Sequence, residues 1–162
     1  MNAKDAFRQL YEITDTVARA YVGDLSDADL MVRSVPGANH IAWQLGHLIT
    51  STDHMLAGLG CDAPMLPDGF AEAHGKEAAA CDEPARFSTK AQYLALMDQM
   101  KAAVMAAIDA TPESKLDDPG PEAMRDYAPT VGAVLLLIGN HWMMHAGQFV
   151  PVRRKLGRPP LF

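Results

Sequence analysis

A chain of 162 residues, 49% hydrophobic and 21% charged, has the size and make-up of one globular domain, expected to span 1–162. Its formal net charge of −6 argues against nucleic-acid binding, which needs a basic face. The longest apolar run, Val131 to Ile138, is interrupted by Gly132 and is far too short to span a bilayer, so no membrane role is expected.

The N-terminal stretch MNAKDAFRQLYEITD carries acids and lacks the apolar region of a signal peptide. Phe7, Leu10, Val17 and Tyr21 follow a helical rhythm and predict a first helix over about Ala3 to Val22. A connector with one helical turn follows, Ser26 being its cap. Asn39, just after Pro36 and Gly37, reads as the N-cap of a second helix. The apolar stripe of that helix is Ile41, Leu45, Leu48, Met55 and Leu59, and Gly60 is placed to end it.

Periodicity weakens between Cys61 and Phe87, where Pro64, Pro67, Gly69, Gly75 and Pro84 predict a long connection with one short helix near Gly75 to Ala80. The two cysteines, Cys61 and Cys81, lack C-x-x-C spacing and make no disulfide framework; a reduced, cytoplasmic location is the default. Ser88 is the expected cap of a third helix that buries Tyr93, Met97, Met100, Val104 and Ile108 and stops at Thr111-Pro112. After a second irregular connection, a fourth helix starts near Pro129-Thr130 and runs toward Leu156, with a kink expected at Pro151. The basic residues Arg153, Arg154, Lys155 and Arg158 are read as offsetting its dipole. No segment alternates as a strand does. The expected fold is all-α, a four-helix bundle with two long crossover connections.

The chemistry lies in the histidines. His141 and His145 stand four residues apart, on one helical face, beside Val134, Ile138 and Val152. Two imidazoles in an apolar stripe are costly unless hydrogen-bonded, protonated with partners, or metal-bound. A bare H-x-x-x-H is also the pattern of two core histidines satisfied by carbonyls or a Tyr hydroxyl. His40, His47 and His54 recur at heptad spacing along one edge of the second helix. His47, mid-helix beside Leu45 and Leu48, is the best third ligand; three protein nitrogens with open positions make a reactive rather than a structural site. His54 is a candidate substrate contact, His40 belongs near the helix end, and His74 reads as a surface loop residue. Trp43 and Trp142 either wall a pocket or simply pack. Gly132, Gly139 and Ala146 form a small-residue row that fits close approach of either the first helix or a second subunit. H-E-x-x-H, E-x-x-H and the phosphate-binding glycine motifs are absent.

Trp43 to Leu48 (W-Q-L-G-H-L), His141 to Gln148 (H-W-M-M-H-A-G-Q) and the ending Arg153 to Pro160 resemble the DinB/YfiT-like superfamily of metal-dependent four-helix-bundle enzymes. Position by position, the resemblance implies His47, His141 and His145 as ligands of one divalent metal, zinc or nickel. It implies a thiol S-transferase or isomerase that uses a low-molecular-weight thiol such as bacillithiol, mycothiol or glutathione on a small electrophilic molecule. A bound metal would favour the deprotonated, nucleophilic form of such a thiol. A water-activating hydrolase at the same site is the alternative, and a non-catalytic module binding metal or a small ligand in a stress response is another. His54, Trp43 and Gln148 are the candidate substrate-binding residues; no catalytic residue is assigned. Relatives are often dimeric, and a homodimer is expected.

Overall fold

The computed structural model describes residues 1–162. Six α-helices form: α1 (Ala3–Gly23), α2 (Asp27–Leu30), α3 (Ile41–Gly58), α4 (Phe70–Ala73), α5 (Lys90–Ala110) and α6 (Val131–Lys155). Four are long, and they pack as a ring, α1 against α5 and α6 and α3 against the same two. There is no strand; a single bridge between Pro119 and Thr130 closes the connection before α6. The all-α expectation holds.

Local chemistry sets the helix ends. Asn2, Ser26 and Thr89 each accept from the third helical N–H while the residue there, Asp5, Asp29 or Gln92, reaches back to the cap. Thr89, not Ser88, therefore starts α5, because the reciprocal partner Gln92 lies three residues after it; the Ser88 N–H donates instead to the Tyr93 hydroxyl. Likewise His40, not Asn39, caps α3: its Nδ1 accepts from Trp43 N–H at 3.0 Å, a role open to any ring nitrogen with a lone pair. At the other end of α3, Gly60 takes φ +70°. Gly60 N–H then bonds Ala57 O, and Cys61 N–H bonds Leu56 O, the paired bonds of a Schellman stop.

The core unites Tyr11, Ala18, Tyr21 and Val22 of α1 with Ile41, Leu45, Leu48 and Ile49 of α3. Tyr93, Met97, Met100 and Val104 of α5 and Val134, Ile138, Trp142 and Phe149 of α6 complete it. Leu10 and Val17 sit at its margin. The row of small residues on α6 faces inward: a Cβ on Gly139 would stand 2.7 Å from Leu10 of α1, and one on Gly132 would press on the Leu116 carbonyl. It thus gives no argument for a second subunit. α6 continues through Pro151, whose ring is exposed.

Arg153 departs from its expected role at the helix end. Its side chain is buried, donating to Tyr21 O at 2.8 Å and to Asp24 at 2.5 Å, so it clamps the end of α1 to the end of α6. Its length and forked donors suit this role better than a dipole partner's.

Candidate metal centre

His47 from α3 and His141 and His145 from α6 converge. Their ring centroids form a nearly equilateral triangle, with separations of 5.2, 5.3 and 4.9 Å. One nitrogen from each ring lies within 4.8 Å of the others, a group able to hold a metal ion. Two metal–imidazole bonds of 2.0–2.1 Å span at most about 4.2 Å, so small ring rotations suffice to close this set on one ion. The donor set fits zinc or nickel among other divalent ions.

Two of the three rings, those of His47 and His145, are held by neighbouring side chains. Trp43, one turn before His47, stacks on it with centroids 4.8 Å apart and planes 6° from parallel. The Trp43 indole N–H donates to Gly75 O at 3.0 Å, which fixes the indole and thereby the imidazole upon it. Trp142 lies between the two α6 histidines in sequence and points away from them. It donates to Thr52 Oγ1 at 2.9 Å, and Thr52 in turn donates to Leu48 O, tying α6 to α3 behind the site. Gln44 Oε1 stands 2.9 Å from His145 Nδ1.

Burial keeps all three rings neutral. It pushes His141 and His145 down to about 4, and nearby imidazoles add to the effect. His47 is lowered too, by burial first and by Lys76 second. The lone pairs a metal needs are therefore free at neutral pH.

A cavity of about 320 Å³ opens beside the triangle, lined by His47, Ser51, His54 and Met55 of α3, Leu137 and His141 of α6, and Met124 and Tyr127 of the second connection. His54 is thus a wall residue, two turns from His47 and about 10 Å from it along the helix. Trp43 acts behind His47 and does not line the cavity. Gln148 is exposed on α6 and takes no part in the wall. Met124, Tyr127 and Gln44 escape sequence reasoning. The first two lie in an aperiodic loop, and Gln44 reads as one more residue on a buried helix.

His74 is a correction. It is buried, not a surface loop residue. Its Nδ1–H donates to Phe70 O at 2.7 Å and its Nε2 accepts from the Tyr93 hydroxyl at 2.7 Å. The ring packs directly on Gly46, the residue before His47. His40 is satisfied in the same way, between Cys81 O and Trp43 N–H, so both rings serve the frame of the site.

A crystal structure of a conserved protein from Enterococcus faecalis is similar over 98% of this chain and 99% of its own, with a TM-score of 0.71 and 16% identity, a likeness of fold. No curated protein matches the chain. The family model of the DinB superfamily matches residues 10–149, and the chain belongs to that superfamily.

Proposed function

We propose that His47, His141 and His145 hold one divalent ion, zinc or nickel, in a metal-dependent enzyme of the thiol S-transferase type acting on small electrophilic molecules. The observation that carries this reading is the triangle of neutral imidazoles, two of which, His47 and His141, line a cavity whose wall has no Lys, Arg, Asp or Glu. When bound, the ion supplies a Lewis acid that lowers the pKa of a thiol at an open position. The chain's own residues do the rest. Trp43 and Gln44 hold two of the rings; Met55, Met124 and Leu137 exclude water from an uncharged substrate; Ser51 and His54 offer hydrogen bonds to its polar end.

The same open position would serve a hydrolase, but the wall offers no carboxylate as a general base. A thiol needs only to lose its proton, which favours the transferase.

Metal analysis of tag-free protein tests the first half: about one ion per chain is expected, and none in His141→Ala. Equal metal in both would end the assignment. A panel of electrophiles with bacillithiol, mycothiol or glutathione, set against esters and amides without thiol, tests the second half. Turnover independent of thiol would replace the transferase with the hydrolase, and no turnover of either panel by the metal-loaded protein would favour a binding module.

The reading also places the protein in the cytoplasm, supported by two free cysteines, and in a homodimer. No helix is long and apolar enough to cross a membrane. The outer face of α6 supports the dimer: Leu136, Asn140, Met144 and Gly147 are exposed, and no charged residue occurs from Val131 to Val152. Light scattering at micromolar concentration should give twice the chain's 17.5 kDa; a monomer mass would reject the dimer.

A further inference from the structure

We propose that Gln44 is a positioning residue of the metal centre, selecting the tautomer of His145 that leaves Nε2 free for the ion. The inference rests on the three-histidine reading and adds to it a residue outside the ligand set.

Hydrogen-bond logic carries the assignment. The Asn39 carbonyl oxygen can only accept, so the Gln44 atom 2.8 Å from it is the amide nitrogen. The other end of the amide, 2.9 Å from His145 Nδ1, is then the carbonyl oxygen, which also can only accept. His145 Nδ1 must therefore carry the hydrogen, and the lone pair of the neutral ring lies on Nε2. Gln44 is 1% exposed, so water does not compete for either bond. The Asn39 end is itself anchored, since the next residue, His40, caps α3 and bonds Cys81 O at 3.0 Å.

Two of the three proposed ligands are thus oriented by different devices. His47 lies flat against Trp43, and His145 is held by Gln44 through a directional bond. The choice of an amide over a carboxylate has a consequence. Both would orient the ring, but the neutral acceptor adds no negative charge, so a divalent ion keeps its full charge for the groups at its open positions.

The test uses full-length protein with the tag removed and reads two quantities. The first is the tautomer of His145 in metal-free protein, from imidazole nitrogen NMR shifts. Wild type should show the hydrogen on Nδ1, and a hydrogen on Nε2 would overturn the proposal outright, without any variant. The second is zinc affinity by competition with a chromophoric chelator. Gln44→Met, close in shape but a poor acceptor, should mix the tautomers and weaken zinc binding roughly 10–100-fold. Gln44→Glu should recover most of that affinity, because one oxygen still accepts from Nδ1 and the other, protonated, still donates to Asn39. If Gln44→Met lowers thermal stability but leaves tautomer and affinity as in wild type, Gln44 is a packing residue and the proposal fails. Should wild type bind no zinc or nickel, the metal reading fails by itself, and the tautomer measurement still decides what Gln44 does.

Discussion

The imidazole of His74 occupies the space that a Cβ on Gly46 would need, its Cδ2 only 2.0 Å from that position. The ring cannot step aside, because both nitrogens are engaged and Phe70 and Tyr93 flank it. Gly46→Ala gains about 1 kcal/mol of helix propensity but incurs overpacking of about 3 kcal/mol, so the clash wins. The expected outcome is a melting temperature lower by roughly 5 °C, together with weakened metal binding, since His47 is the adjacent residue. Unchanged melting would show that His74 is not seated on Gly46.

Removal of the metal should be legible in stability. An ion held at a hundred times its dissociation constant stabilises the fold by about 2.7 kcal/mol, or roughly 5–10 °C for a chain of this size. Calorimetry with and without chelator should show that gap in wild type and its disappearance in His145→Ala. A chelator effect that persists in the variant would move the ion to another site.

The metal-free protein should lose stability as the pH falls from about 6.5 toward 4. Burial holds His141 and His145 down to about 4, and His40, His47 and His74 are lowered in the same direction. Unfolded, these rings bind protons near 6.5, so the unfolded chain takes up more protons throughout that window and acid favours it. The lowered carboxyls of Asp24, Asp29 and Asp109 act in the same direction but mainly at the acid end of this window and below it. Thermal melts of chelator-treated protein across this range test the direction; a flat profile would mean that the rings are not buried.

Arg153→Met should destabilise the fold by about 2 kcal/mol without touching the metal site. The substitution keeps the buried stem but orphans the Tyr21 carbonyl, which costs about 1–3 kcal/mol. Its partner Asp24 is half exposed and finds water, so no stranded charge adds to the penalty. Denaturant titration measures the loss, and unaltered zinc affinity should accompany it.

Much of this protein is legible along the chain because its helices are long and two of its three candidate metal-binding histidines repeat at helical spacing. The stripe of α5, from Tyr93 to Ile108, is buried throughout as its period requires. His141 and His145 must share a face once α6 forms, and His47 sits mid-helix in a segment with its own stripe. Periodicity reports only what one helix does with its own faces. Whether the row Gly132, Gly139 and Ala146 meets its own chain or a second one depends on what lies opposite, and here Gly139 meets Leu10 of α1 and Gly132 meets Leu116.

The remaining features join residues far apart in sequence through segments with no period. His74 belongs to the frame of the site only because the connection after α3 folds back to lay its ring on Gly46. Met124 and Tyr127 reach the cavity from a loop, and Arg153 finds Tyr21 and Asp24 across the molecule. Gln44 meets His145 across the α3–α6 interface. Local propensity and spacing, acting within a few residues, determine the helices and bring His141 and His145 onto one face. The seating of a buried ring, a cavity wall or a supporting hydrogen bond depends on packing between distant segments, and so the tertiary structure alone decides it.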